Sequence, residues 1–441
     1  MKSFFFVIFW YMSILQVWGQ DDFVLQKQKS SAVIPFKLIN NLVFIPIKVN
    51  GVELNFILDS GVAETVLFSL EDKKEVNVFN PVKIKLRGLG SENSVEGIKS
   101  TQNILETHGL QSTNHIMYII LDQSFNMSSH IGIPVNGIIG YKFFKNKVVK
   151  IDYHAKKIFV YDGIEKIKNS KLKKFTKIPL KIELFKPYLE ADIGLNGKSK
   201  KAKLLVDIGN SDAIWMFQND TLQLPEKKFE DFLGKGFSGD VLGYRAKIDA
   251  FSLGGFEFEK PIAAFPEKAS IKNVAMVPDR VGSVGGEILM RFTVIIDYQN
   301  QHLYLKKNSN FKNPFQYNHS GVVIQHNGLQ WVQETVGMNS VRNNYFISDE
   351  TTTTTKTKSF NYEFKLKPAF EIANIRKNSA AEKAGLEVGD VVLSINKTNI
   401  HRFTLQQINT LLKSDDERFI TIEVERKGKI LKFKFELINE L

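Results

Sequence analysis

A mainly β protein, built from two similar halves and followed by a small α+β unit, is what this 441-residue sequence predicts. Three observations predict it. Short apolar or alternating runs broken by Gly, Asn and Lys fill residues 33 to 306, with no long amphipathic helix among them. Within that stretch a set of landmarks recurs in the same order. After about residue 361 the pattern changes to strands interleaved with two short helices that carry capping signals.

Composition narrows the function before any motif is read. At 43 % hydrophobic and 24 % charged residues the chain is of ordinary globular make-up, which excludes a collagenous, low-complexity or wholly disordered protein. The chain has no cysteine, so thiol redox work, zinc ribbons, iron–sulfur clusters, cysteine nucleophiles and disulfides are all excluded. Lys and Arg number 59 against 47 Asp and Glu, a net charge of +12. The lysines are scattered, as Lys171, Lys173, Lys174 and Lys177 are among apolar neighbours. With no recognition helix, RNP pattern or zinc finger, no nucleic-acid partner is expected.

The first element is residues 1–19. Lys2, the apolar stretch from Phe4 to Val17 and the small-residue exit at Gly19 before Gln20, Asp21 and Asp22 read as a secretory signal peptide. The uncharged run is shorter than the roughly 20 residues a spanning helix needs, so no membrane anchor is expected once it is cleaved. Export to the periplasm, cell envelope or medium is the expected location.

The two halves are residues 33–162 and 175–306. In the first, Phe56-Ile57-Leu58 delivers Asp59-Ser60-Gly61; in the second, Leu204-Leu205-Val206 delivers Asp207-Ile208-Gly209. Gly88-Leu89-Gly90 begins 29 residues after Asp59, and Gly234-Lys235-Gly236 begins 27 after Asp207. Gly140 and Gly285 end the apolar segments Ile138-Ile139-Gly140 and Val284-Gly285, and each is followed 12 residues later by Asp-Tyr, at Asp152 and Asp297. Four landmarks in register argue for a duplicated β-unit whose halves face each other. Asp152 and Asp297 precede turn-forming residues and read as hairpin starts.

A carboxylate where a buried strand meets a turn is costly unless it is hydrogen-bonded or shares its charge. If the two halves pair, Asp59 and Asp207 meet; two carboxylates in contact cannot both ionise, so one proton is held between them. One then serves as base toward water, the other as acid toward a carbonyl oxygen. The Asp-Ser-Gly and Asp-Ile-Gly elements, the apolar-apolar-Gly segments and the Gly-x-Gly loops together resemble the pepsin-like and retropepsin-like aspartyl proteases over residues 33 to 306. The resemblance implies a two-lobed acid-protease-like β domain with Asp59 and Asp207 as catalytic dyad, and the shared proton is established behaviour of that class. It implies support from Ser60, Gly61, Gly209, Asn210 and Ser211. It makes Gly88, Gly90, Gly234 and Gly236 candidate flaps over the substrate, although Gly pairs equally close ordinary hairpins. The family carries Thr or Ser after each Asp; Ile208 departs from that and can neither donate nor accept, with Asn210 and Ser211 near enough in sequence to supply a substitute bond. The resemblance implies an aspartic endopeptidase that hydrolyses a polypeptide substrate. The other reading is an inactive peptide-binding protein with a degenerate pair.

The eight histidines form no His-Glu-x-x-His pair or comparable cluster, so no metal is expected. With no phosphate loop, dinucleotide fingerprint or Gly-x-Ser-x-Gly elbow, no cofactor is expected either. One chain supplies both aspartates, so a monomer suffices to build the dyad.

Residues 307–360 read as a connecting segment and linker, in which 321–325 and 329–332 form a further hairpin before the threonine run from Thr351. Residues 361–438 contain Ser379-Ala380-Ala381-Glu382 as a helix start closed by Gly385, Gly389-Asp390 in a turn, and a helix from Thr404 with Leu405, Ile408, Leu411 and Leu412 on one face. This order resembles a PDZ domain of the bacterial protease type. That resemblance implies peptide binding at Lys367, Ala369, Phe370 and Ile372, by strand addition to an edge at Phe370–Ile375. Pro368 in the matching loop lacks an N–H.

Overall fold

A computed structural model describes residues 22–26, 29–68, 75–86, 95–122, 127–218, 222–236, 239–272, 274, 276–339, 358–414 and 419–441. The segments read as signal peptide (1–19), first flap candidate (Gly88, Gly90) and most of the threonine-rich linker lie outside the described residues.

The described residues between 31 and 307 are mainly β, with short helices among the strands, and the same construction occurs twice. Strands Leu42–Val49 and Val52–Leu58 form a hairpin closed by Asn50 and Gly51 at φ 48° and 90°. Strands Lys186–Leu195 and Lys198–Val206 form another, closed by Asn196 and Gly197 at φ 51° and 72°. Both central residues have positive φ, the primed turn whose twist matches paired strands and which Asn-Gly adopts most readily. Each hairpin's second strand ends at an aspartate. In the first half a short strand, Gly137–Ile139, inserts between Val52–Leu58, in parallel, and Thr65–Leu67, antiparallel. In the second, Arg280–Val284 inserts in the same way between Lys198–Val206 and Ile214–Met216. Gly137–Ile139 is buried throughout, and Arg280–Val284 over its last three residues, because each is paired on both sides.

The halves are joined by a third, six-stranded sheet, to which each contributes three strands. At its centre Val148–Asp152 of the first half pairs antiparallel with Phe292–Asp297 of the second, Lys150 opposite Ile295. Asp152 and Asp297 open the hairpins that follow: Asp152 accepts from the Ala155 N–H at 3.0 Å and Asp297 from the Asn300 N–H at 3.0 Å. One apolar core runs through both halves, from Phe23 and Ile34 through Ile139 and Ile208 to Leu305.

The C-terminal unit has its own core, built on Phe370, Ile372, Val392, Leu405, Ile408 and Val424. Thr404 caps the helix Leu405–Leu412 with the reciprocal bonds of a capping box, and Gly385 ends the helix Ala380–Ala384 at φ 95°. Two expectations are corrected here. Segments 321–325 and 329–332 do not form a hairpin; both lie on one strand, Val322–Asn339, which pairs antiparallel with Lys358–Ile375. Nor is 307–360 all connector, because Val322 and Ile324 are buried in the C-terminal core. The strand bulges between His326 and Leu329, opposite Pro368, where a residue without an N–H is tolerated.

Candidate active site

Asp59 and Asp207 stand at equivalent ends of equivalent strands. The Asp59 N–H donates to the Ile139 carbonyl at 2.9 Å, and the Asp207 N–H to the Val284 carbonyl at 2.9 Å. The inserted strands thereby pin both aspartates in the same attitude, and the two side chains hydrogen-bond to each other. The Gly61 N–H donates to Asp59 at 2.7 Å, and the Gly209 N–H to Asp207.

The glycines pack reciprocally. A Cβ on Gly61 would lie 2.8 Å from Oδ1 of Asp207, and one on Gly209 would collide with the carboxyl of Asp59. Each half's glycine is the floor under the other half's aspartate, and only a residue without a side chain leaves room. Gly140 and Gly285 are equally confined, since a Cβ would strike the main-chain carbonyls of Val62 and Asp212 respectively.

Burial pushes the Asp59 carboxyl up to about 8, reinforced by the negative charge of Asp207, and burial raises Asp207 as well. Lys186 lowers both and Arg280 lowers Asp207, so the pair is moderated by two cations and not left bare. An acid whose folded pKa lies above its unfolded 3.8 binds more protons folded than unfolded between those values, so its contribution to stability is fully present below pH 4 and is lost as pH rises toward 8. The expected loss is at most about 1.4 kcal/mol per pH unit. Urea unfolding from pH 5 to 8.5 checks it: wild type should lose stability relative to Asp59→Asn as pH rises, and parallel curves would contradict the shared proton.

Ser60 ties the halves together. Its buried hydroxyl donates to the Val206 carbonyl at 2.6 Å and accepts from the Ile208 N–H at 3.1 Å. The equivalent side chain in the second half, Ile208, is fully buried in the shared core and bonds nothing. The expected substitute is corrected. It does not come from the Asn210 or Ser211 side chain: Asn210 bonds to Ser283 within its own half at 3.2 Å, while the cross-half bond runs from Nδ2 of Asn41 to the main-chain carbonyl of Ser211 at 2.9 Å. Ser60→Ala leaves the Ile208 N–H and Val206 carbonyl unpaired and should cost about 1–3 kcal/mol in urea unfolding, whereas Ser60→Thr keeps the bonds.

Above the pair is a cleft of about 380 Å³. Its roof includes Gly234, Lys235 and Gly236, at the end of strand Lys228–Gly236, which pairs with Gly239–Lys247. Gly234 and Gly236 therefore lie on a pair of strands that lines the same cleft as the aspartates. The strands flanking the other Gly pair, Val82–Leu86 and Val95–Thr107, also form a hairpin.

Sequence reasoning missed several residues here. Lys186 and Arg280 give no local signal, because their nearness to the aspartates arises from strand pairing. Also missed is a largely buried ion network that ties the hairpin to the loop after Asp207: Arg245 donates from Nη1 to Asp212 at 2.8 Å and from Nε to Asp231 at 2.6 Å. Asp212 in turn accepts from Nε1 of Trp215 at 2.7 Å, and its N–H donates to Oδ1 of Asn210 at 3.0 Å. Among the described residues no group of three or more His, Asp or Glu side chains is arranged to hold a metal ion, and no helix is long and apolar enough to cross a membrane.

Of the predicted peptide-binding residues of the C-terminal unit, Phe370 and Ile372 are not at an edge. Phe370 and Ile372 lie on the central strand Lys358–Ile375, paired on one side with His326 and Ile324 and bonded on the other to Val392 and to residues 389 and 390. Both side chains are core residues, and Ala369 is buried too. Lys367-Pro368-Ala369-Phe370 is strand and not a carboxylate-binding loop, with Lys367 opposite Gln330. At Phe370 and Ile372, bonded on both sides, no backbone group is left for a peptide. The outer strand beside Lys358–Ile375 is Val322–Asn339, and helix Leu405–Leu412 contacts that outer strand.

Comparison with known families adds one finding. The PDZ domain family matches residues 371–426, and this part of the chain is a PDZ domain. The matched span begins after the edge strand, which the structure adds to it.

Proposed function

We propose that the chain is an aspartic-type endopeptidase in which Asp59 and Asp207 act on a water molecule held between them. The ionised carboxylate takes a proton from water as the oxygen attacks the scissile carbonyl carbon; the protonated carboxyl gives its proton to the carbonyl oxygen. The tetrahedral diol then collapses, the C–N bond breaks, and the amine leaves carrying a proton returned by the pair. The hairpin bearing Gly234 and Gly236 would cover an extended substrate in the cleft, and the PDZ domain would bind a peptide or protein segment.

The observation that carries this reading is the reciprocal packing of Gly61 on Asp207 and Gly209 on Asp59 around two hydrogen-bonded carboxyls. A turn aspartate kept for hairpin chemistry would not need a bare glycine beneath it from the opposite half. Duplication of the inserted-strand arrangement and the six-stranded sheet between halves agree with a two-lobed acid-protease-like architecture. The Phe4–Val17 stretch and the lack of cysteine support an exported protein.

Ile208 favours a second reading, a protein that binds peptides in the cleft without cutting them, because the side chain after Asp207 makes no bond across the halves as Ser60 does. One experiment separates the two. Purified chain incubated with a denatured polypeptide between pH 4 and 7 should release fragments, and Asp59→Asn or Asp207→Asn should stop it. Intact polypeptide that nevertheless binds would favour the second reading.

A further inference from the structure

In the PDZ domain the groove open to strand addition is the one between edge strand Val322–Asn339 and helix Leu405–Leu412, and both walls are already contacted from within the chain. The short helix Met127–Ile131 of the first half packs against that strand. The residue that ends it, Gly132, has φ 85° and lies so close to the groove that a Cβ there would be 2.7 Å from Cβ of Leu405 and 3.5 Å from Nε2 of His326. Leu405 is the first residue of the groove helix and His326 is on the strand, so Gly132 sits between the two walls. The turn is built to hold that shape: the Gly132 N–H donates to the Ser128 carbonyl at 2.8 Å, and the Ser128 hydroxyl accepts from the Val135 N–H at 3.0 Å.

The other side of the same short helix faces the aspartates. Met127, His130 and Ile131 line the cleft that Asp59 and Asp207 line, and so do Val323 and Ile324 of the groove strand. The His130 ring rests on Phe232 of the roof hairpin, centroids 6.1 Å apart, with Nδ1 buried and without a hydrogen-bond partner. That contact is a ring contact without a hydrogen bond, whereas the turn around Gly132 is internally bonded.

We infer that the PDZ groove takes the Met127–Gly132 turn of its own chain as an internal ligand, and that an extended polypeptide entering the groove displaces this turn and loosens the roof hairpin over the aspartates. A free chain end is then not the resident occupant; a glycine turn is. The coupling is reciprocal: whatever holds the turn in the groove disfavours peptide there, and peptide in the groove disfavours the turn. The effect on cleavage rests on the proposed hydrolytic reading, but occupancy of the groove does not.

The test reads hydrogen exchange on the full chain, so it needs no activity. Gly132→Arg places a side chain where none fits and should evict the turn. Exchange in 323–326 and in 232–236 should then rise about tenfold or more, while 148–152 and 292–297 in the central sheet stay as in wild type and report an intact fold. Unchanged exchange in 323–326 and 232–236 of Gly132→Arg, with the central sheet protected as in wild type, overturns the proposal. Absence of proteolysis in wild type would sink the hydrolytic reading and leave these readouts standing.

Discussion

Asp59→Asn and Asp207→Asn are each expected to lower polypeptide cleavage by about 10²–10⁴-fold, the range for removing a general acid or base, without unfolding the protein. Asparagine has the shape of aspartate and can keep the bond from the Gly61 N–H to Asp59, or that from Gly209 to Asp207. What it loses is the titrating proton. With one carboxyl gone the remaining one has no partner to share with, so water is neither deprotonated nor the carbonyl oxygen protonated in the same complex. Since the two act as a unit, the double variant should be scarcely slower than either single one. Above pH 7 the single variants should be at least as stable as wild type, because they remove a buried group that burial and a like charge both disfavour in its ionised form. Initial rates on a quenched peptide, with thermal unfolding of the same samples, check both halves of the statement. A variant retaining more than a tenth of wild-type rate would show that the pair does not do the chemistry.

That the two aspartates meet is legible in the amino-acid order alone, and the reason is physical. Each follows an apolar strand and precedes a glycine by two positions, and the later glycines at 140 and 285 keep pace. A carboxylate cannot end a buried strand cheaply unless something shares its charge, so the duplication itself names the partner. The hairpins at Asn50-Gly51 and Asn196-Gly197 are local signals of the same strength, since their positive φ values suit few other pairs. Ile208 is legible as a departure from the resembled family, but not its consequence. That the compensating bond comes from Asn41 depends on a turn far away in sequence, whose carbonyl also crowds Gly286.

The C-terminal unit shows where local reading stops. Its helix caps and apolar helix face follow from nearby residues and lie where the pattern puts them. Which strand is an edge does not, because edge and centre are set by pairing, and an apolar run looks the same in both. Phe370 and Ile372 read as an edge only while Val322–His326 is assigned to a connector. The strand that supplies the missing neighbour is separated from them by the threonine-rich segment, so no short-range pattern links the two. The same holds for Lys186 and Arg280, ordinary cations in sequence that pairing brings beside the aspartates.

Arg245→Met is expected to destabilise the protein by about 3 kcal/mol, the lower end of the cost of breaking a buried ion pair, since Arg245, Asp212 and Asp231 each keep slight solvent contact. The guanidinium bridges both carboxylates, and nothing else reaches both. Arg376 approaches Asp231 only at 4.0 Å while donating to Glu440 at 2.8 Å, so it cannot replace Arg245. Burial already raises Asp231 above the ordinary carboxylate range, with Arg245 the largest opposing influence. Without that cation its ionised form is more costly still. The deficit should therefore be largest at pH 7 and above and shrink toward pH 4, where the stranded Asp231 carboxyl takes up a proton. Arg245→Lys should recover only part of the loss, because an ammonium cannot fork to two acceptors. Asp231→Asn in the Arg245→Met background should recover part as well, and the double-mutant cycle from urea unfolding measures the coupling. Cleavage should fall with stability at sub-denaturing urea, for Asp212 carries the loop after Asp207: its N–H bonds to Asn210 and its carbonyl lies against Gly285. A loss below about 1 kcal/mol, the usual yield of a surface pair, would mean the hairpin is held over the aspartates by its apolar contacts alone.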